Sequence, residues 1–419
     1  MEKEVIERKA RKNISLYRKY KMFSYDYVFY YAISVLYLTT TKGFSMSQVM
    51  YLESFFAIFS IIFYLIGNRI VNKLNLKVST ILGNVFLIVN VIFYIFGNSY
   101  KIFILSYMLS ALGFTLKNIT ESSILYSSLR KIGKRSEFTK IEGRSNSKYY
   151  YYDAFASLIA GFLFIINSYI PIILCGINIL VSLVISLYFS NVDKAKEENY
   201  SIKDVIVETK SILSSNRLKA IYLFSFIFTG IVAVSSVLYK AIILDIGIKE
   251  QYSTIVVCIM SIFVGIGAKT LFHVEKMTKN KTLKFFSLNY VMSLGIVGVM
   301  GILKKLDMFT MSAILIALSL MGYIQGAYRV ALKKYTLSFT THEIRNRITS
   351  TYYIFENVGK ALFTFLIGLL LNYTSNSIAC IIFAGVSFVV MLFVLYYMRG
   401  RLGLKPEQYA PEDINNIKL

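Results

Sequence analysis

The chain is a succession of long apolar stretches separated by short polar loops. About twelve windows of about 18 to 25 mostly apolar residues can be placed along its 419 residues, and each is long enough for one helix to cross the ~30 Å hydrocarbon core of a membrane. The pattern therefore predicts an all-α polytopic membrane protein with about twelve transmembrane helices. The approximate predicted spans are 22–41, 47–70, 78–97, 102–126, 146–168, 170–190, 218–240, 252–272, 284–303, 309–332, 349–371 and 377–398.

One polar break is much longer than the others. Residues 191–217 are rich in Lys and Glu, and they separate six predicted helices from six more. A charged stretch of this length between apolar segments is typical of a linker. We predict an N-terminal six-helix bundle at 1–190, a cytoplasmic central loop at 191–217, and a C-terminal six-helix bundle with a cytoplasmic tail at 218–419.

A ten-residue pattern occurs twice. The pattern R-x2-S-x-Y-Y-x2-[DE] runs from Arg144 to Asp153 and again from Arg347 to Glu356, about half a chain length further on. In both copies a basic loop precedes the pattern and an apolar stretch follows it. This repetition predicts two homologous halves arranged in parallel, an organisation found in one large class of transporters.

Composition supports a membrane protein and excludes a nucleic-acid partner. Hydrophobic residues make up 56% of the chain and charged residues 16%, which is too apolar for a soluble core. The net charge of +23 lies in particular loops rather than on an aqueous domain, so the lipid bilayer is the expected surrounding. Abundant Tyr, Ile, Asn and Lys without Trp favours an AT-rich bacterial source, and hence the bacterial cytoplasmic membrane.

The basic loops also predict the orientation. Lys and Arg gather before the first span, between the fourth and fifth, between the eighth and ninth, and after the last, whereas the alternate loops hold scattered charges such as Lys42, Lys101 and Lys304. By the positive-inside rule both termini are cytoplasmic. The first apolar span is full length and lacks a cleavage pattern, so no cleavable signal peptide is expected.

No enzyme, metal or cofactor site is indicated by the sequence. The three cysteines lie singly in apolar runs, and His273 and His342 fall in basic loops, without metal-ligand spacing. Residues 265–270 end like a phosphate-binding loop, but Ala268 stands where that motif requires glycine before its lysine. We therefore expect energy from an ion or solute gradient rather than from ATP.

Several local stretches point to a family. The short basic loop Asn68–Lys77, the end of the fourth span at Thr120–Leu129 and the following Lys140–Arg144, with six plus six helices and a parallel repeat, resemble the major facilitator superfamily, and in particular a bacterial efflux-like branch. The superfamily's loop pattern is G-x-x-x-D-[RK]-x-G-[RK]-[RK]. Here both glycines and the acid are replaced, and the resemblance assigns Asn72, Lys73 and Lys77 to a cytoplasmic gate.

The resemblance implies a secondary transporter. It predicts a monomer that moves a small molecule by alternating access, with proton-coupled efflux of amphipathic, drug-like compounds as the leading function and H+ as the coupling ion. The alternatives are an importer of a nutrient such as a sugar, peptide or metabolite, and a non-transporting membrane sensor on the same scaffold. No enzymatic activity is expected.

Ionisable side chains within the spans are the candidate solute and proton pathway, because such groups are costly in lipid. Asp26 can instead extend to the membrane interface. Lys117 and Glu121 are one helical turn apart, so they form either a private ion pair or a site in which Lys117 contacts solute and Glu121 or Asp26 carries a proton. Lys360 follows Glu356 by one turn, and an intrahelical pair is the alternative there. The full candidate pathway is Asp26, Lys117, Glu121, Gln325, Arg329 and Lys360.

The repeated pattern supplies candidate gate residues. Asp153 and Glu356 each stand nine residues after their arginine, too far for a direct pair along one helix, so each acid is expected to meet other groups in its own half. We predict that the two sets act as cytoplasmic latches. On the outer side, Glu53 and Lys240 are predicted to approach when the transporter closes. The full gate set is Glu53, Asn72, Lys73, Lys77, Arg144, Asp153, Lys240, Arg347 and Glu356.

Overall fold

The computed structural model describes residues 2–134, 137–191, 207, 209–210, 216–278, 281–338 and 345–398. Within these residues the chain forms thirteen α-helices and one short π-helical turn, with no strand. The helices are α1 Glu2–Ser24, α2 Tyr30–Leu36, α3 Met46–Leu74, α4 Leu76–Phe96, α5 Tyr100–Lys131, α6 Phe138–Ile166, α7 Ile170–Leu187, α8 Asn216–Asp245, α9 Glu250–Thr278, α10 Thr282–Leu303, α11 Met308–Ser338, α12 Arg345–Leu370 and α13 Asn376–Tyr397, with the π-helical turn at Tyr37–Thr41.

Backbone contacts group the chain into two compact units. The first unit is Met1–Ser34 with Phe59–Ser201, and the second is Val35–Ile58 with Ile202–Leu419. The helix α3 therefore contributes to both, which no sequence pattern indicated. Most of the predicted linker 191–217 lies outside the described residues.

The two units repeat the same helix pairs, as the duplicated motif predicts. In the first unit α1 packs on α6, and α4 packs on α5 and α7. In the second unit α8 packs on α12, and α10 packs on α11 and α13. The motif-bearing helices α6 and α12 occupy equivalent places in these pairs. The predicted all-α fold built from two parallel repeats is confirmed.

Eleven helices in the described part of the chain are long and apolar enough to span a membrane. They correspond to eleven of the twelve predicted spans. The prediction for 22–41 was wrong in one respect, because this segment is not a continuous helix. The helix α1 ends at Ser24, residues 25–29 are irregular, and α2 begins at Tyr30.

Local backbone geometry explains the break after α1. The Asp26 Oδ1 atom accepts a hydrogen bond of 2.7 Å from the Tyr27 backbone N–H, so the aspartate side chain takes a donor that a continuous helix would use. Phe29 has a φ of 70°, a left-handed conformation incompatible with a regular helix. The first predicted span is therefore a broken helix.

Glycines allow close contacts between helices of the second unit. A Cβ atom at Gly359 of α12 would lie 2.0 Å from the Phe226 carbonyl oxygen of α8, and one at Gly326 of α11 would lie 1.9 Å from the Val264 carbonyl oxygen of α9. Small residues at such contacts let helix backbones approach each other in a membrane. The short distances between α8 and α12 and between α9 and α11 thus depend on these two glycines.

Cysteine labelling tests the membrane orientation that the basic loops predict. Single cysteines at positions 43, 99 and 372 are expected to react with an impermeant thiol reagent added outside, and cysteines at 134 and 281 only after permeabilisation. All five positions lie between helices or at helix ends, while the three native cysteines are buried and give no background. The reverse labelling pattern would overturn the orientation.

Candidate functional site

Three charged side chains meet inside the first unit. Lys21 of α1, Lys117 of α5 and Glu121 of α5 have exposed fractions of 6%, 2% and 2%. The Lys21 Nζ atom lies 2.5 Å from Glu121 Oε2, and Lys117 Nζ lies 4.0 Å from Glu121 Oε1. We call these residues the Lys21–Glu121–Lys117 cluster. Two buried cations thus share one carboxylate.

The broken end of α1 completes this cluster. The last carbonyl groups of a helix lack partners within the helix, and here side chains from other helices supply them. The Lys117 ammonium donates to the Ser24 carbonyl oxygen, and Asn178 Nδ2 donates to the Phe23 carbonyl oxygen at 2.7 Å. The Ser24 hydroxyl donates to Glu121 Oε1 at 2.9 Å. A lysine at a helix C-terminus is also favoured by the helix dipole.

Aromatic rings border the two lysines. Lys21 Nζ lies 5.0 Å from the centroid of the Tyr25 ring, and Lys117 Nζ lies 5.3 Å from that of Phe114, both within cation–π range. Tyr25 in turn packs on Tyr149, with ring centroids 4.4 Å apart, and its hydroxyl lies 3.3 Å from that of Tyr150. The cluster therefore adjoins a surface of tyrosines from α6.

A further buried carboxylate of the first unit, Glu142, was not predicted from the sequence. Glu142 on α6 accepts hydrogen bonds from the Tyr17 hydroxyl at 3.2 Å and from the Ser122 hydroxyl at 3.1 Å. Lys21 was also missed, because it belongs to a run of basic residues preceding the first span. Its helical spacing from the buried Ala10, Ile14 and Tyr17 is the signal that places it on the inner face.

In the second unit Glu356 on α12 is half-buried and contacts three hydroxyl groups. It accepts hydrogen bonds from Tyr352 at 2.8 Å, Thr229 at 3.1 Å and Ser225 at 3.4 Å. The Thr229 hydroxyl also lies 2.9 Å from that of Tyr328. We call Ser225, Thr229 and Tyr352 the hydroxyl shell of Glu356.

The predicted pathway residues divide between the units. Lys117 and Glu121 do come together, yet they form no private pair, because Lys21 and Ser24 also bind the carboxylate. Asp26 lies half-buried in the helix break, close enough to Lys117 for their charges to interact. The remaining members lie in the second unit: Gln325 is buried on α11, Arg329 is exposed on α11, and Lys360 is half-buried on α12.

The predicted gate residues lie in varied surroundings. In the repeated motif Arg144 is exposed whereas Asp153 is buried, and the side chain of Arg347 lies outside the described residues. Glu53 is half-buried on α3 and Lys240 is buried on α8, both in the second unit. Asn72 and Lys73 lie in the last turn of α3 and Lys77 in the first turn of α4. Their gating roles stay predictions.

Comparison with known proteins identifies the fold. The sequence matches no protein-family profile, and a search of curated proteins finds no match. Among solved structures, the nucleoside transporter NupG superposes with a TM-score of 0.74 at 11% identity, over 96% of this chain and 100% of that one. A POT family transporter in complex with 5-aminolevulinic acid gives 0.70 at 13% identity, over 94% and 96%. A mutant of the peptide transporter POT in complex with sulfate gives 0.70 at 12% identity, over 93% and 94%.

These similarities extend along nearly the whole chain, but the sequence identities are low. At such identity a shared fold does not carry a shared substrate. The chain is a multi-pass membrane protein with the fold of the major facilitator transporters.

Proposed function

We propose that this protein is a proton-coupled secondary transporter of a small polar solute that carries an anionic group. The observation that carries the proposal is the Lys21–Glu121–Lys117 cluster at the broken end of α1. Charged side chains within a membrane-spanning bundle are expensive and usually mark a transport pathway. Helices interrupted inside the membrane likewise mark binding sites in transporters.

The cluster suits the coupling of proton binding to solute binding, because the Glu121 carboxylate accepts hydrogen bonds from both an ammonium group and a hydroxyl group. Lys21 and Ser24 both donate to Glu121. Protonation of Glu121 would remove the negative charge that holds the Lys21 ammonium, since an ammonium group can only donate hydrogen bonds. The freed ammonium would then bind an anionic group of the solute, and loss of the proton would restore the internal ion pair and release the solute.

Two of the structural neighbours support a solute of this kind. One of those transporters is in complex with 5-aminolevulinic acid and another with sulfate, and both ligands carry an oxyanion. With Glu121 protonated, the two lysines and the nearby Asp26 leave one positive charge in excess for such a group. An amphipathic cation would have to approach two ammonium groups, which disfavours it electrostatically.

Efflux of amphipathic compounds is the second candidate. The observation in its favour is the aromatic surface of Tyr25, Tyr149 and Tyr150 beside the cluster, because flat apolar molecules stack on such rings. Under this alternative the protein would lower cellular accumulation of a lipophilic dye, and the lysines would contribute little to binding.

A two-stage experiment tests the proposal. Purified protein is first screened by thermal shift with dipeptides, nucleosides, small carboxylates and lipophilic dyes, because a true ligand stabilises the folded state by mass action. The stabilising compounds are then offered to proteoliposomes under an imposed pH gradient. We expect a carboxylate- or phosphate-bearing solute to be stabilising and to accumulate with the gradient. Stabilisation by dyes alone, without gradient-driven movement of any anionic solute, would support efflux instead.

A further inference from the structure

We propose that the basic face of α1 binds the headgroups of anionic phospholipids at the membrane surface where α7 ends. The basic face of α1 consists of the exposed basic residues Arg8, Lys9, Arg11, Lys12, Arg18 and Lys19. Its partner is a lipid whose headgroup carries a phosphate and a net negative charge. Lipid binding at this face stands independently of any transported solute.

The helix α1 has two contrasting sides. From Arg8 to Lys21 its sequence contains seven basic residues and no acidic residue. The buried side packs on α5, α6 and α7 through Ala10, Asn13, Ile14, Tyr17 and Tyr20, which are at most 8% exposed. Their helical spacing places the basic residues between them on the opposite side. Only Lys21 turns inward to Glu121, so the other six cations face the surroundings of the protein.

The helix α7 shows where the membrane surface lies. One side of this membrane-spanning helix carries apolar side chains that are 46–59% exposed, at Ile173, Ile177, Leu180, Val184, Leu187 and Tyr188. An exposed apolar row on such a helix faces lipid tails. The row ends at Tyr188, the C-cap of α7, and tyrosine at the end of a span is typical of the interface with the headgroups. Tyr188 therefore marks headgroup depth.

Lys12 lies at the same depth. Its Nζ atom is 5.8 Å from the centroid of the Tyr188 ring, within cation–π range, and both side chains are exposed. The adjacent Asn13 fixes this register, because its side chain accepts from the Ser190 backbone N–H at 2.9 Å and donates to the Ser190 carbonyl oxygen at 2.8 Å. The cation of Lys12 thus stands where lipid phosphates lie.

The direction of α1 places further cations at or beyond this depth. Asn13 contacts Ser190, whereas the Phe23 carbonyl oxygen contacts Asn178, so α1 runs antiparallel to α7. Residues that precede Lys12 therefore lie outside the apolar row, among or beyond the headgroups. Arg8, Lys9 and Arg11 belong to this group. Arg18 and Lys19 lie about two turns deeper, and long basic side chains at such positions extend toward the interface.

Charge and length favour lipid headgroups over a small soluble anion. The basic face of α1 extends from Arg8 to Lys19, roughly 16 Å at 1.5 Å per residue, which is longer than one phosphate group. Each basic residue close to an anionic membrane surface strengthens the attraction about fivefold. Several headgroups along one face can therefore satisfy cations that a single small anion would leave unmatched.

A binding titration of the purified full-length protein in a neutral detergent tests the proposal. The probes are short-chain phosphatidylglycerol, phosphatidylcholine with the same acyl chains, and inorganic phosphate. We expect phosphatidylglycerol to bind at least tenfold more tightly than phosphatidylcholine, and its affinity to fall as sodium chloride is raised. Arg8→Gln combined with Lys12→Gln should weaken phosphatidylglycerol binding about 25-fold, at about fivefold for each charge removed, and leave phosphatidylcholine binding unchanged.

The matched control is Lys304→Gln combined with Lys305→Gln, which removes the same charge from an exposed loop of the second unit and should bind phosphatidylglycerol as the wild type does. Equal weakening in both double variants would show a response to net charge alone and overturn the site.

Other outcomes would also contradict the proposal. Equal affinity of the wild type for the two lipids would do so, and inorganic phosphate that displaces phosphatidylglycerol at equal concentration would identify a small anion as the occupant. Should the Arg8 and Lys12 double variant fail to fold, the salt titration of the wild type decides, since binding that sodium chloride does not weaken is not carried by these cations. Lipid binding without any solute transport would refute the proposed function and leave this surface standing.

Discussion

Replacing Glu121 with glutamine is expected to reduce solute accumulation driven by a pH gradient to the background of empty liposomes. Glutamine keeps the size of the side chain but removes the charge that holds Lys21 at 2.5 Å. Glutamine cannot bind and release a proton in this pH range, so Lys21 can no longer alternate between the carboxylate and the solute. The pH gradient then no longer drives solute movement. Exchange of labelled for unlabelled solute at equal pH is expected to persist, because it requires no net proton movement.

The control for this substitution is Glu137→Gln. Glu137 forms an ion pair of 3.1 Å with Lys134, but both side chains are about half exposed, and such surface pairs contribute only about 0–1 kcal/mol. Gradient-driven uptake by this variant should match that of the wild type. Wild-type accumulation in Glu121→Gln would contradict the coupling role of the cluster.

The same substitution is expected to lower stability, which has to be separated from its effect on transport. Removing one partner of a buried ion pair costs about 3–5 kcal/mol, whereas replacing both partners by neutral groups is often tolerated. A double variant with Lys21→Met and Glu121→Gln should therefore recover part of the melting temperature, because Lys21 no longer keeps a buried charge without its partner, whereas Lys117 still does. It should still lack gradient-driven accumulation, so the two effects can be distinguished by thermal unfolding and flux measured side by side.

Adding one methyl group at Gly359 is expected to destabilise the second unit. The new Cβ atom of Gly359→Ala would lie 2.0 Å from the Phe226 carbonyl oxygen, and this neighbour is backbone, so α8 and α12 must move apart. Overpacking of this kind typically costs about 1–3 kcal/mol. The separation should also lengthen the hydrogen bond that the Thr229 hydroxyl on α8 donates to the Glu356 carboxylate on α12.

A glycine-to-alanine substitution elsewhere in the same unit separates the effect of helix packing on stability from the effect of helix propensity. A Cβ atom at Gly385 of α13 would meet nothing within 4 Å, so Gly385→Ala should leave the melting temperature unchanged or raise it slightly, since alanine favours helix over glycine. Thermal unfolding of the two variants in the same detergent gives the comparison. Equal melting temperatures would show that the close approach of α8 and α12 does not limit stability.

Most of the architecture could be predicted from the sequence because it depends on local properties. Apolar windows of sufficient length identify eleven of the helices, and the duplicated motif predicts the repeated helix pairs. The break after α1 could not be predicted, because its cause combines local and distant groups. Asp26 takes a neighbouring backbone donor, but the carbonyl oxygens released by the break find partners on α5 and α7, far away in sequence.

The candidate site likewise combines features that are visible in the local sequence with contacts between residues far apart in the sequence. The spacing of Lys117 and Glu121 on one helix face is visible in the sequence, whereas Lys21, one hundred residues away from Glu121, looks like one more cation of a basic arm. In the repeated motif, Tyr352 and Glu356 are four residues apart and bond directly, as helical geometry predicts. The hydroxyl groups of Ser225 and Thr229 became identifiable only once α8 was seen to pack on α12.

The unbroken length of α1 has a mechanical consequence. The helix runs from Glu2 to Ser24, about 35 Å at 1.5 Å per residue, and Lys21 lies near its inner end. Asn13, two turns earlier, holds the same helix to Ser128 and to the backbone of Ser190 at 2.8–3.2 Å. Release of Lys21 would therefore move the C-terminal end of a rigid helix that is held at Asn13. The N-terminal half of α1 would move in the opposite direction. A spectroscopic label near residue 5 would then report, from outside the hydrophobic bundle, whether Glu121 holds its ion pair.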